Sequence, residues 1–157
     1  MADPDCLKLV AFDEEDLSVL SAHVQDAVLK VADLVYLPKE RRFVLGMNRF
    51  IWEKADDGSR RDFERRRAAM TFDRVLSAKT SNIRRDRPDA VLELLAVAFE
   101  PGDTPAGFIT IVFAGGGAIR LEVEVVETRL ADLGTAWATR AKPSHDLAAE
   151  AKPGRGA

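Results

Sequence analysis

A chain of 157 residues is long enough for one domain with a sizeable core, since single cores usually occupy about 100–200 residues. Its hydrophobic fraction of 46% and charged fraction of 31% are ordinary for a globular protein and exclude a chain that is disordered throughout. The single cysteine, Cys6, excludes an intrachain disulfide and a cysteine-based metal cluster. The apolar stretches fall well short of the ~20 residues that span a membrane, and the acidic start of the chain lacks the features of a signal peptide. We therefore expect a cytoplasmic protein without membrane insertion.

The net charge of −3 conceals a strong segregation of charge along the chain. Residues 38–88 carry 15 Lys/Arg and 8 Asp/Glu, whereas residues 1–37 carry 2 and 8, and residues 89–157 carry 6 and 10. A basic middle between acidic ends is the compositional feature that indicates a partner, and that partner would be an anion such as a nucleic acid or an acidic protein.

The start of the chain predicts a strand over residues 7–12, followed by a helix. Asp13 is a favourable N-cap, and three acidic residues follow in the first turn, where the helix dipole favours negative charge. Apolar residues then recur at spacings of three and four, as on one face of a helix: Leu17, Leu20, Val24 and Val28. The pattern predicts a helix from Asp13 to Lys30.

After this helix the period of the pattern shortens to about two, which predicts strands joined by short turns. A tight turn is predicted at Pro38–Arg41, because proline presets the backbone for a turn. Asp73-Arg74 is the predicted turn of a hairpin, and the apolar run Val91 to Phe99 predicts a central strand buried on both faces. The other predicted strands span residues 31–37, 42–51, 60–72, 75–80, 108–113 and 119–125.

The predicted fold is α+β: a mainly antiparallel sheet or small barrel with one N-terminal helix and a short C-terminal helix. Val126 to Leu133 is the predicted C-terminal helix, ending at Gly134. A small barrel closed by such a helix would resemble the pleckstrin-homology-like architecture, a likeness of shape that carries no function. We expect a single domain over residues 1–140 and a disordered tail over 141–157, which is rich in Ala, Lys, Pro and Gly.

The residue types that often carry chemistry form no catalytic or metal-binding constellation in this sequence. The two histidines, His23 and His145, belong to a predicted helix and a predicted tail, so they make a poor dyad or metal site. The triplet Gly115–Gly117 is followed by a strand and has no lysine nearby, which is typical of a hairpin turn rather than a phosphate loop. Glu122 and Glu124 share one face of a strand, as in a solvated cross-strand charge ladder. We predict no cofactor, no metal and no catalytic residue.

A run of basic residues in the middle of the chain is the remaining candidate site. If this segment is a strand, Arg65 and Arg67 project from one face and Arg66 from the other; a helical start near 61–67 is the alternative. A hairpin would place Arg74 and Lys79 on the adjoining strand and merge the charges into one patch. Arginine suits planar recognition of phosphate or carboxylate, although a charge run is also typical of a solvated face. The candidate anion-binding residues are Arg60, Arg61, Arg65, Arg66, Arg67, Arg74, Lys79, Arg84, Arg85 and Arg87.

Six phrases of the sequence carry a family resemblance. They are YLPKERRF at 36–43, NRF at 48–50 with WE at 52–53, FERRR at 63–67, FAGGGAIRLEVE at 113–124, DLG at 132–134 and WATR at 137–140. Together they make the chain similar, from residue 7 to about 140, to an uncharacterised bacterial family named domain of unknown function 2948. The resemblance implies no assigned activity, so it transfers no catalytic residues to this chain.

The sequence supports three functional hypotheses. The first is a non-catalytic binding or adaptor module whose basic stretch Arg60–Arg87 engages an anionic partner. The alternative is a small-molecule-binding protein or an enzyme whose site is assembled from residues distant in sequence, converging on Arg41, Arg49, Trp52 or Trp137. The third is a self-associating structural protein, which an exposed strand edge or a large apolar patch would indicate.

Overall fold

The computed structural model describes residues 6–51, 64–133 and 137–138. Within them the chain forms one α-helix, α1, and an antiparallel sheet of eleven strands, which confirms the predicted α+β class. The elements are β1 (Lys8–Ala11), α1 (Glu14–Val24), β2 (Val28–Lys30), β3 (Leu34–Leu37), β4 (Arg42–Phe50), β5 (Glu64–Asp73), β6 (Val75–Ser81), β7 (Val91–Pro101), β8 (Gly107–Phe113), β9 (Ala118–Val123), β10 (Thr128–Asp132) and β11 (Trp137–Ala138).

The strands are hydrogen-bonded in the order β1-β10-β5-β4-β2-β7-β8-β9-β6, with β3 also pairing with β4 and β11 with β5. The sheet is not closed into a barrel, because β1 and β6 are its two ends. The antiparallel-sheet prediction is therefore confirmed, and the barrel alternative with its pleckstrin-homology-like shape is wrong. The predicted tail over 141–157 lies outside the described residues.

Helix α1 begins as predicted, because the Asp13 side chain accepts a hydrogen bond from the N–H of Asp16 at 2.8 Å. It ends earlier than predicted. Asp26 has a φ of 65°, and its N–H donates to the carbonyl of Leu94 on β7 at 2.7 Å, so the chain leaves the helix axis and joins the sheet as β2. The contact that ends the helix is therefore made to a residue far along the chain, which a local apolar pattern does not reveal.

The predicted hairpin between β5 and β6 is wrong. The two strands follow one another through Arg74, but β5 pairs with β4 and β10, whereas β6 pairs with β9 at the end of the sheet. Arg74 has a φ of 65°, which bends the chain between them. Asp73 N–H, on one side of the bend, donates to the carbonyl of Glu127, and Glu124 N–H donates to the carbonyl of Arg74. The chain thus turns a corner in the sheet here instead of forming a hairpin.

The predicted C-terminal helix is also wrong, since Thr128–Asp132 is strand β10, between β1 and β5. Its side chains alternate: Thr128, Leu130 and Asp132 are buried, while Arg129 is exposed. Strand β7 likewise departs from the prediction of burial on both faces, because Val91 is 64% exposed. The apolar composition of both segments indicated that they contribute to the core. It did not indicate which of their side chains are buried.

The core lies against the inner face of the sheet, where α1 packs on β1, β4 and β7. The largest fully buried side chains include Phe72, Phe113, Leu17 and Leu20, as expected for a hydrophobic core. One further member of this set is Arg49, which has no exposed surface. A buried guanidinium requires a charged, hydrogen-bonded partner, because burial of an unpaired charge is very costly.

Asp132 is that partner, and it also contacts two other parts of the sheet. Arg49 Nε donates to Asp132 Oδ1 at 2.8 Å and its Nη2 to Oδ2 at 2.9 Å, in the bidentate geometry that suits arginine and carboxylate. The N–H of Leu7, just before β1, donates to Oδ2 at 2.8 Å, and Nη1 of buried Arg66 on β5 lies 3.7 Å from Oδ2. One carboxylate therefore joins β4, β5, β10 and the start of β1.

Substitution of Asp132 by Asn is expected to lower the free energy of unfolding by about 3–5 kcal/mol, because two buried guanidinium groups lose their shared carboxylate. Arg49→Met should cost less, since Asp132 keeps Arg66 and the Leu7 N–H as neighbours. Denaturation by urea measures both, with the exposed Arg84→Met as control, expected within about 0.5 kcal/mol of wild type. Equal stability of Asp132→Asn and the control would contradict this account of the buried ion pair.

Gly107 begins β8 where the sheet admits no side chain. A Cβ there would overlap the Glu100 carbonyl oxygen and lie 2.7 Å from the ring of Phe99. Gly107→Ala is therefore expected to destabilise the protein by about 1–3 kcal/mol, the usual cost of overpacking. Gly102→Ala is the matched control, because the nearest atom lies 3.5 Å away and the effect should stay within about 0.5 kcal/mol. Thermal unfolding of the two variants side by side tests the difference; similar losses in both would contradict it.

Candidate functional site

The predicted basic residues do not form one patch. Arg60 and Arg61 lie outside the described residues. Four others contact groups of the protein itself: Arg65, Arg66, Arg67 and Arg74. The last four are exposed on β6 and the loop that follows it: Lys79, Arg84, Arg85 and Arg87.

The three consecutive arginines of β5 point to alternate faces, as predicted for a strand. Arg66 is on the inner face and only 2% exposed, next to Asp132. Arg67 is on the outer face, where its Nη2 lies 3.5 Å from Oδ1 of Asp33. A side chain as buried as that of Arg66 is unable to contact a partner. This member of the predicted site instead contacts Asp132 in the core.

Arg65 is half-buried on the outer face. Its guanidinium carbon lies 3.8 Å from the centre of the Phe50 ring, and its Nη1 donates to the carbonyl of Asn48 at 3.3 Å. Burial lowers the pKa of Arg65, while the negative charges of Asp26 and Glu93 act in the opposite direction. The charge is thus partly desolvated and stacked on an aromatic ring, a cation–π arrangement that leaves little of it for a partner.

Arg74 lies at the other end of β5 from Arg65, roughly 30 Å along the strand at about 3.3 Å per residue. Its Nε lies 3.3 Å from Oε1 of Glu127, and its Nη1 is 3.7 Å from Oε1 of Glu124. The prediction that a hairpin merges Arg74 and Lys79 with the β5 arginines is therefore wrong, because β6 pairs with β9 and not with β5.

We use the name basic strip for the four exposed residues Lys79, Arg84, Arg85 and Arg87. The loop that carries its arginines is attached to the rest of the protein: Asn82 Nδ2 donates to the carbonyl of Gly116, Ile83 packs on the core, and Ala32 N–H donates to the carbonyl of Pro88. Arg84 pairs with Asp86 at 3.2 Å. No residue in the described ranges forms an ion pair with the other two arginines of the strip. Among the described residues of the predicted set, Lys79, Arg85 and Arg87 are therefore the exposed cations without an ion pair.

Lys79 directly faces a second cation. The register of β6 with β9 places Lys79 opposite Arg120, although like charges directly opposite one another destabilise a sheet. Arg120 is partly compensated, since its guanidinium lies 4.0 Å from the centre of the Phe108 ring and 3.5 Å from Oε1 of Glu100. Arg120 thus adds a fifth positive charge, opposite Lys79 of the basic strip.

A groove that the sequence did not predict as a site lies at the corner between β5 and β6. It is open, holds about 540 Å³, and is lined only by charged residues, with four arginines and four carboxylates. We call it the corner groove; its lining residues are Glu40, Arg41, Arg42, Asp73, Arg74, Glu124, Glu127 and Arg129. Of these eight residues, the sequence indicated Arg41 and Arg74 as candidate site residues and Glu124 only as part of a charge ladder. The set was not predicted, because its members come from five separate stretches of the chain.

Ion pairs connect the lining of the corner groove. Asp73 is held by two arginines: Arg42 Nε donates to its Oδ1 at 2.8 Å, and Arg129 Nη2 donates to its Oδ2 at 2.9 Å. The hydrogen bond and charge of Asp73 raise the pKa of Arg42. Arg41 Nη1 donates to Oε2 of Glu124 at 2.8 Å, so the carboxylate that sequence patterns assigned to a solvated charge ladder instead faces this groove.

The glycine triplet and the two histidines were the other motifs considered in the sequence. Gly115 and Gly116 have φ values of 89° and 96° in the turn between β8 and β9, which confirms the turn prediction for the glycine triplet. His23 is on α1, and His145 lies outside the described ranges. Across those ranges, no group of three or more His, Cys, Asp and Glu side chains is arranged to hold a metal ion. The one described helix has neither the length nor the apolar character needed to cross a membrane.

The fold and these surfaces define an α+β protein with an open antiparallel sheet, a buried arginine–carboxylate cluster and two charged surfaces. The chain belongs to the family of proteins of unknown function designated DUF2948, whose model matches residues 7–145, and the resemblance seen in the sequence is thereby confirmed. No curated protein and no solved structure matches the chain.

The like-charged pair on β6 and β9 generates a stability prediction. Lys79→Glu would place a carboxylate opposite Arg120 and is expected to raise the free energy of unfolding by about 0.2–1 kcal/mol. Lys79→Gln, which removes the repulsion without adding an attraction, should give a smaller gain. Urea denaturation at low and high salt is the measurement, because screening should shrink the gain. A loss of stability in Lys79→Glu would show that the two cations do not repel one another appreciably.

Proposed function

We propose that this protein is a non-catalytic binding module whose basic strip engages an anionic partner. The observation that carries the proposal is the exposure of Arg85 and Arg87 on an attached loop, without an ion pair to any described residue. Guanidinium groups in this state present all their donors to phosphate or carboxylate oxygens.

The environments of the arginines elsewhere in the protein support the basic strip as the binding surface. At the corner groove each of the four arginines lies within 4 Å of a carboxylate, and Arg49 and Arg66 share one in the core. The strip differs in that its cations outnumber the acids beside them, and Lys79 faces Arg120 instead of an acid. A partner that supplies negative charge would relieve this repulsion. The relief would add to the favourable free energy of binding.

The loop geometry supports binding in a second way. Backbone hydrogen bonds within the loop join Arg85 N–H to Ile83 and Arg87 N–H to Arg84, each at 2.9 Å. A loop that is ordered before binding loses less conformational entropy when the partner arrives. The side chains of the strip contribute charge, so we expect them to bind the partner's charged groups rather than to distinguish bases or side chains.

Charge reversal at Arg85 and Arg87 together tests the proposal. The pair is preferable to the β5 arginines, because reversal of buried Arg66 would unfold the protein and so remove binding for a trivial reason. Lys8→Glu with Lys39→Glu is the matched control, since both side chains are exposed and the change in net charge is the same. The partners are a labelled single-stranded RNA and a labelled polyglutamate peptide, measured by fluorescence anisotropy from low to physiological salt.

Wild type is expected to bind one of these partners with a Kd of about 10⁻⁴–10⁻⁶ M that weakens with salt. The strip variant should bind at least about tenfold more weakly, and for RNA its salt slope should fall by about 1.4, or ~0.7 for each lost phosphate contact. The control variant should stay within about twofold of wild type. Binding of RNA alone, or of peptide alone, identifies the class of partner. Equal losses in the strip and control variants, or no binding of either partner by wild type, would refute the proposal.

A further inference from the structure

Two arginines of the corner groove have an unusual backbone conformation. In the described part of the chain four residues other than glycine have positive φ, and two of them, Asp26 and Asn82, are of types that adopt this conformation readily. The other two are Arg41, at 54°, and Arg74, at 65°, and both line the corner groove. A positive φ in a residue other than glycine costs free energy, and such residues cluster at functional sites.

The backbone alone does not explain why these residues are arginines. Both carbonyl groups are used at the corner of the sheet: Val75 N–H donates to that of Arg41 at 2.9 Å, and Glu124 N–H donates to that of Arg74 at 3.0 Å. Glycine would present the same carbonyl with less strain. What glycine would lack is the guanidinium group, which at both positions contacts Glu124.

The two guanidinium groups converge on one carboxylate. Glu124 lies between them, with Oε2 2.8 Å from Nη1 of Arg41 and Oε1 3.7 Å from Nη1 of Arg74. All three side chains are solvent-accessible, at 57% for each arginine and 36% for the glutamate. The space between Arg41 and Arg74 therefore holds a planar oxyanion in the free protein, and it can be reached from solvent.

The groove has unused acceptors as well as unused donors, but the donors are in slight excess, because each carboxylate has about four lone-pair sites and each arginine has one donor more. Asp73 and Glu124 each already contact two arginines. A guanidinium group has five N–H donors, whereas Arg41 and Arg129 each make one side-chain hydrogen bond to a carboxylate. A ligand that adds acceptors would consequently fit this groove better than one that adds donors, although the lining carries four charges of each sign.

We propose that the corner groove binds a small molecule carrying phosphate or carboxylate groups, with one oxyanion between Arg41 and Arg74 in the position that the Glu124 carboxylate takes in the free protein. Glu124 is then a resident competitor that a ligand displaces. The groove volume of about 540 Å³ leaves room for the rest of such a molecule above Arg42 and Arg129. This site is separate from the basic strip, because the seven residues of β6 stand between Arg74 and the loop that carries the strip's arginines.

Calorimetric titration of the full chain with inorganic phosphate, and separately with citrate, at constant ionic strength tests the proposal. Wild type is expected to bind one or both with a Kd in the micromolar to low millimolar range. Arg41→Gly and Arg74→Gly should each weaken binding by about 10–100-fold, the loss typical of a charged hydrogen bond. Glu124→Gln should tighten it by about tenfold, since the competing charge is gone. Binding of phosphate only or of citrate only tells which oxyanion the ligand carries.

Thermal unfolding of the same variants separates a binding site from a structural ion network. With a binding role, the two glycine variants keep a Tm equal to or above that of wild type, because backbone strain is relieved while only exposed ion pairs are lost. The strip variant Arg85→Glu/Arg87→Glu must bind phosphate or citrate as wild type does, so the two proposals fail independently. Absence of binding by both wild type and Glu124→Gln, or unchanged affinity in the glycine variants, would overturn the inference.

Discussion

The buried contact between Arg49 and Asp132 is the constraint on which the arrangement of the sheet depends. Two charges without access to water must satisfy one another, and this pair does so with two short parallel hydrogen bonds between β4 and β10, on either side of β5. Asp132 also accepts the Leu7 N–H, so the position of β1 follows from the same carboxylate. A shift of register by one residue would turn Asp132 or Arg49 to the outer face and leave the other buried charge without its acceptor or donor. The pair therefore specifies one register for several neighbouring strands, and hence the relative placement of the charged surfaces around them.

The arginines of this protein have three different environments, although their sequence context looks uniformly basic. Arg66 is in the core, Arg65 is stacked half-buried on Phe50, and Arg87 is in solvent. The difference follows from strand geometry, because successive residues of a strand face opposite sides of the sheet while a loop exposes most of what it carries. A positive segment in sequence is thus a poor measure of positive surface, and the exposed cations form a smaller set than their number in the chain indicates.

The corner groove lies at the start of β6, whereas the basic strip extends from Lys79 within the strand into the loop that follows, and the two surfaces differ in kind. Arg74 precedes this strand at the corner groove, where four arginines and four carboxylates form ion pairs with one another. The loop with Arg85 follows the strand, and there the cations exceed the acids beside them. A site of paired charges suits a small ligand held by directed hydrogen bonds, whereas an uncompensated strip suits a larger polyanion attracted by charge. The same strand connects both surfaces and is one end of the sheet that the described residues form.

Local features of the chain were determined by the sequence itself. The start of α1 follows from the cap at Asp13, the turn at Gly115–Gly117 follows from glycine's freedom at positive φ, and the alternation of Arg65, Arg66 and Arg67 follows from the period of a strand. Tertiary structure alone decided the features that depend on distant partners. Asp26 ends the helix by bonding to Leu94, residues 128–132 are a strand because β1 and β5 lie on either side, and β6 leaves β5 to pair with β9. The corner groove and the buried ion cluster belong to this second group, because each brings together residues that are more than eighty positions apart and that carry no local mark of their shared contact.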